Sequence, residues 1–130
     1  MNPSTRIRFF CVVALTSMVV VFAPMTSFAG DAANGEALYT ANCSSCHGVT
    51  GKGDGPVGLV LQPPPRDFSQ GDFKLDTDED GSPGTDADLK SVISKGAAEF
   101  GGNQMMAPWG GILSDADVDD VIIFVRTLKK

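Results

Sequence analysis

Four groups of apolar positions organise the chain. The first, Phe9 to Ala23, is an almost unbroken apolar run. Arg6 and Arg8 precede it and Ser27-Phe28-Ala29 follows it. A positive start, an apolar core of this length and a small-x-small tripeptide make a secretory leader, with the cut after Ala29. An uncleaved membrane anchor would ask for about 20 apolar residues. Residues 1–29 are therefore expected to be the leader and 30–130 a single domain. The second group, Ala37, Leu38, Tyr39 and Ala41, predicts a helix from Ala32 to Cys43. The third, Leu89, Val92 and Ile93, marks one face of a helix from Thr85 to Lys95. Thr85 with Asp88 resembles a capping box, and Gly96 can end the helix. The fourth, Val118, Val121, Ile122, Val125 and Leu128, recurs at helical spacing after Ser114. Aspartates at its start and Arg126, Lys129 and Lys130 at its end suit the helix dipole.

No periodicity runs through residues 48–84. Gly51, Gly53, Gly55 and Gly58 punctuate the stretch, and Pro63-Pro64-Pro65 favours extended geometry. Only Val57 to Leu61 suggests a short helical turn. So long a loop is unusual in a small domain unless it does something, and wrapping a bound group is one such purpose. The pattern predicts an all-α domain of about three main helices.

Cys43-Ser44-Ser45-Cys46-His47 supplies the bound group. C-x-x-C-H is the attachment site of a c-type haem. The spacing lets two thiols add to the two vinyl groups of one macrocycle, Cys43 and Cys46 becoming thioethers, and holds His47 beneath the iron as an axial ligand. A structural zinc site would need four Cys or His ligands. This chain has one His and three Cys, of which Cys11 lies in the leader. A thioredoxin-like dithiol would sit in a β-α-β pattern, which is missing here. A plain disulfide leaves His47 without a role.

Charge narrows the partners. Without Arg6 and Arg8, eight basic residues face 16 acidic ones, a formal charge of −8. That excludes nucleic-acid binding, which depends on basic neutralisation of phosphates. It favours redox partner proteins with a basic docking surface. A macrocycle would also explain how a small chain with 15 Gly and 8 Pro closes a core.

A second axial ligand is sought in Met105-Met106-Ala107-Pro108-Trp109, the only methionines outside the leader. Thioether sulfur is a soft ligand, and His/Met ligation raises the potential of haem iron. Either methionine satisfies that chemistry, and both also suit gap-filling in a core.

Together, the first helix, C-x-x-C-H, the following loop, the methionine segment and the last helix resemble the class I c-type cytochromes. Gly53-Asp54-Gly55-Pro56 through Pro65-Arg66-Asp67-Phe68 looks like a branch of small monohaem members carrying G-D-G-P…P-x-P-R-D-F. The resemblance spans nearly all of residues 30–130. It implies a cytochrome c fold with one haem c bound covalently through Cys43 and Cys46. It implies that the ligand methionine stands three residues before an aromatic, which selects Met106 with Trp109. His47 and Met106 would be the iron ligands. It implies that the Pro56 carbonyl accepts a hydrogen bond from the second nitrogen of His47. Arg66 would pair with a haem propionate or, alternatively, with Asp67 on the surface. A close crossing of the first and last helices at Gly35 and Phe124 is expected too.

The function expected is a periplasmic one-electron carrier, not an enzyme. The alternatives are a haem subunit of a larger, membrane-associated oxidoreductase complex, and a gas-binding sensor if the methionine is labile. Asp76, Asp78 and Asp80 match the start of a calcium loop, D-x-D-x-D-G. Its twelfth position is Ala87 rather than a carboxylate, so a solvated acidic turn is preferred to a Ca2+ site.

Overall fold

Helix α1 (Ala32–Asn42) starts at Asp31, whose carboxylate accepts from the backbone N–H groups of Ala33 and Asn34. A single turn, α2 (Ser44–His47), follows directly. Helices α3 (Asp86–Lys95) and α4 (Asp115–Thr127) each open with a reciprocal capping box, Thr85 with Asp88 and Ser114 with Asp117. Short 3-10 turns at Gly58–Val60, Phe68–Gln70 and Ala97–Phe100 complete a computed structural model that describes residues 30–130. The expected leader lies outside the described residues. Among those described there is no strand, so the domain is all-α as its pattern implied. None of its helices is long and apolar enough to cross a membrane.

α1 lies along α4, and Gly35 is where they meet. A Cβ on Gly35 would collide with the Asp120 carbonyl oxygen and stand 3.1 Å from Phe124 Cβ. The Gly35–Phe124 contact expected from the resemblance is therefore present. Tyr39, Val121 and Val125 form one buried cluster, with Leu38, Phe68, Phe73, Phe124 and Leu128 around it. Leu113, Val118 and Ile122 form a second, closed by Leu89 and Trp109. Leu38 and Ile93 touch both.

Helix α3 behaves differently from α4. Leu89, Val92 and Ile93 share a face, yet all three remain only half-buried. Leu89 and Ile93 reach α4 with part of their surface, and the rest of the face, Val92 included, lines a cavity. The 3.6-residue repeat reports which face is apolar and says nothing of what will cover it.

Asp88 is buried, at 1% exposure. Its carboxylate accepts from Thr77 N (2.6 Å) and Oγ1 (2.8 Å) and from Thr85 N (2.8 Å) and Oγ1 (2.7 Å). These bonds hold its carboxyl far below the usual range, the Thr77 N–H contributing most. Bonding favours the ionised form, and stability is linked to that shift. A lowered folded pKa means the contribution is complete above the unfolded value, about 3.9, and is lost as pH falls from there toward the folded one. Asp88→Asn keeps the shape but has only one acceptor oxygen. The variant should melt well below the parent at pH 7, and the gap should narrow as both are scanned downward from about pH 4. A gap independent of pH would contradict this account.

The acidic turn is exposed. Asp76, Asp78 and Asp80 bring carboxylate oxygens within 4.8 Å of one another. Asp76 Oδ2 accepts from Gly81 N at 2.9 Å, and Asp80 Oδ1 from Ser82 N at 2.7 Å. Asp76 and Asp80 thus cap their own turn.

Candidate haem site

The junction of α1 and α2 presents the C-x-x-C-H side chains together. Cys43 ends α1, its N–H reaching Tyr39 O at 2.8 Å. One helical turn then follows, with bonds from Cys46 N (3.2 Å) and His47 N (2.9 Å) to Cys43 O. Residues three and four apart on such a turn share a face, so Cys43, Cys46 and His47 are neighbours. Gly48, at φ 77°, closes the turn.

Both thiols are unpaired. Burial, helped by the neighbouring Cys46, pushes the Cys43 thiol up to about 11. Reactive redox thiols are instead held as thiolates at neutral pH, so the dithiol reading loses support. His47 stacks on Phe68, with centroids 4.6 Å apart and planes at 17°. Phe68 meets the edge of Tyr39 at 6.4 Å, and the Tyr39 hydroxyl donates to Gly48 O at 2.7 Å. Burial lowers the His47 pKa, partly offset by a backbone carbonyl beside it. A neutral imidazole is the form that ligates a metal.

That carbonyl is Arg66's, 3.4 Å from His47 Nδ1, and this corrects the role expected for Pro56. Pro56 sits at the exposed tip of a turn. The turn is tied back by Gly55 N to Cys46 O (3.2 Å) and Val57 N to Ser45 O (2.9 Å). The chain returns to the imidazole nine residues later through Pro65 and Arg66. Gly53, at φ 74°, lets it return, since a Cβ there would stand 2.5 Å from Pro65 O. Gly53 N also donates to His47 O at 2.8 Å, and Phe68 N to Gly51 O at 2.6 Å. The P-R-D-F half thus packs over Gly53 and is hydrogen-bonded to the loop just before G-D-G-P, at Gly51. The Arg66 side chain is outside every ion pair among the described residues. Asp67 caps Ser69 instead, accepting from its N at 2.9 Å and its Oγ at 2.6 Å.

The methionine segment follows α3. Trp109 N donates to Ile93 O at 2.9 Å and Gly110 N to Ser94 O at 3.0 Å, laying the segment over the end of that helix. Met106 is half-buried, whereas Met105 is 59% exposed. Two adjoining cavities, of about 330 and 100 Å³, share Cys46, His47, Phe68, Met105 and Met106 among their lining residues. Arg66 and the apolar face of α3 line the larger; Cys43 and Trp109 line the smaller. Pro56 lines neither. Two thiols, a neutral imidazole, a thioether and an apolar wall make a donor set and a space that fit a covalently held haem.

A family model described as cytochrome c matches residues 32–129. The chain belongs to the cytochrome c family. Cytochrome c-554(547) of Halothiobacillus neapolitanus is 34% identical over 108 residues, covering 78% of this chain and 100% of that relative. Cytochrome c6 of Picosynechococcus is 30% identical over 114 residues, covering 87% of each. Among solved structures, a chain of the Kuenenia stuttgartiensis reducing HAO-like protein complex superposes with a TM-score of 0.61 at 31% identity. That match covers 74% of this chain and 41% of the other. As a cytochrome c, the protein carries haem c through Cys43 and Cys46 and is an electron carrier that works with redox partners.

Sequence reasoning missed the Arg66 carbonyl as the acceptor beside His47. No residue-type signal marks it, because a backbone carbonyl acts independently of the side chain it belongs to. Asn103 was also missed, since it looks like an ordinary surface polar residue until distant segments meet, and Asp88 was read only as the cap partner of Thr85, without its bonds from Thr77.

Proposed function

We propose that this cytochrome c is a periplasmic one-electron carrier with His47 and Met106 as axial ligands. The observation that carries it is the contrast between the two methionines. Met106 is half-buried and held at both backbone ends, N to Asn103 O at 3.0 Å and O from Ala97 N at 3.1 Å. Met105 next to it is mostly exposed. A ligand fixed by its backbone limits the change in geometry between oxidation states, which suits an electron carrier.

The bound haem supplies the one-electron chemistry. The chain's part is to hold the imidazole through Phe68 and the Arg66 carbonyl, and to line the cavity with apolar residues. With both axial positions filled, no open site remains for a substrate, so the protein is not an enzyme. Arg66, on the wall of the larger cavity, is placed to pair with a propionate. A partner with a basic surface would complement the formal charge of −8 that remains once Arg6 and Arg8 leave with residues 1–29. The leader directs the protein to the periplasm. A second reading, a fixed haem subunit of an oxidoreductase complex, is favoured by the likeness to a chain of the HAO-like complex. Purification from its source as a free monomer, without an accompanying subunit, would sink that alternative.

The test is potentiometric titration with near-infrared absorption of the ferric protein. The parent should show the weak methionine-to-iron band. Met106→Ala should abolish it and lower the potential by on the order of 0.1 V or more, since axial ligation sets haem potentials across about 0.8 V. Met105→Ala should leave both nearly unchanged. Retention of the band in Met106→Ala would defeat the assignment.

A further inference from the structure

Asn103, on the wall of the larger cavity, makes three hydrogen bonds. Its Nδ2 donates to Pro63 O at 2.9 Å, forty residues away in sequence. Its Oδ1 accepts from Met105 N at 2.9 Å. Its own carbonyl accepts from Met106 N at 3.0 Å. The amide orientation is determined by the two partners, because a carbonyl can only accept and an N–H can only donate.

The two loops it joins have different anchors. The Pro-rich loop runs on through Pro65 to the Arg66 carbonyl beside His47. The methionine loop is tied to the 3-10 turn after α3 by Ala97 N to Met106 O at 3.1 Å, and to α3 itself by Trp109 N to Ile93 O at 2.9 Å. Pro63, Pro64, Pro65, Asn103, Met105 and Met106 all line the larger cavity. Among the described residues, the Asn103–Pro63 bond is the sole hydrogen bond between residues 56–66 and residues 97–109. Among the described residues, the Met106 segment is thus hydrogen-bonded to α3 and to the turn that follows it, but to the His47-side loop only through Asn103.

We propose that Asn103 is a positioning residue: a latch that ties the Met106 loop to the His47-side loop and suppresses dissociation of the distal ligand. The inference rests on Met106 ligation. Without the latch, the methionine loop would open more often and an external ligand would enter the sixth position more quickly.

The experiment is stopped-flow binding of imidazole to the ferric holoprotein, after the near-infrared band has been recorded for the parent. Asn103→Asp keeps the acceptor for Met105 N but loses the donor to Pro63 O. Asn103→Ala loses both. A single hydrogen bond of typical net strength predicts roughly a three- to tenfold rise in the binding rate for each. Gln104→Ala, at the exposed neighbouring position, should bind imidazole at the parental rate. Ser114→Ala removes the α4 cap and lowers global stability by a comparable amount, and it too should leave the rate unchanged. Parental rates in both Asn103 variants, or an equal rise in Ser114→Ala, would overturn the latch. Absence of the methionine band from the parent would overturn Met106 ligation first, and is seen before any variant is compared.

Discussion

A Cys43→Ala, Cys46→Ala chain is expected to lose cooperative thermal unfolding and its fixed aromatic environment. The fold is built around a space as much as around a core. Leu89, Val92 and Ile93 turn their shared face into the cavity, and Phe68, Phe73, Ile122 and Val125 line it as well. A dry void of about 330 Å³ would cost on the order of 8 kcal/mol at roughly 24 cal/mol per Å³. Admitting water removes the void but leaves those apolar walls wet. Either way the loss is comparable with the whole stability of a small domain, about 5–15 kcal/mol. Near-ultraviolet circular dichroism and calorimetry on the double variant are the check. Near-ultraviolet signal should vanish, the sharp calorimetric peak should disappear, and part of the helical far-ultraviolet signal should remain. A sharp melting transition close to that of the parent would show that the helices close without the group.

Gly35→Ala is expected to destabilise the holoprotein by about 2 kcal/mol, although local propensity points the other way. In an exposed helix interior, Ala is favoured over Gly by about 1 kcal/mol. At Gly35 the new Cβ would run into the Asp120 carbonyl, which belongs to the α4 backbone and cannot swing aside as a side chain could. α1 and α4 must then separate, loosening Tyr39 from Phe124, whose rings lie 5.2 Å apart. Overpacking of this kind costs about 1–3 kcal/mol and relief by rotamer change is closed to a backbone atom. For a domain of this size the shift in melting temperature would be roughly 10 °C. Gly111→Ala serves as the control, since nothing stands within 4 Å of a Cβ there. If Gly35→Ala proved as stable as the parent, the close crossing would have no energetic weight.

Some elements were legible because their signals are local. The start of α3 was readable from Thr85/Asp88, where a side chain satisfies an N–H three residues away, and that of α4 from Ser114 and the aspartates after it. The buried face of α4 was readable from its spacing, because that helix packs against a regular partner. C-x-x-C-H was readable because one helical turn is enough to gather its three side chains. The acceptor beside His47 was not, and Pro56 was expected where Arg66 stands. Both residues lie on loops without periodicity, and their positions depend on how Gly51, Gly53 and Gly55 bond to the turn around His47.

By itself, the sequence determined the helix order, the haem attachment residues, the negative charge and the pair of methionines from which a ligand can come. These follow from spacing and residue chemistry within a dozen positions. Tertiary structure alone decided which carbonyl faces His47, that Asp88 is buried beneath Thr77 and Thr85, that α3 offers its apolar face to a cavity, and that Asn103 bridges to Pro63. The reason is physical. Each of these depends on a backbone group or a shared space that exists only once segments remote in the chain have met, and backbone groups are the same in every residue.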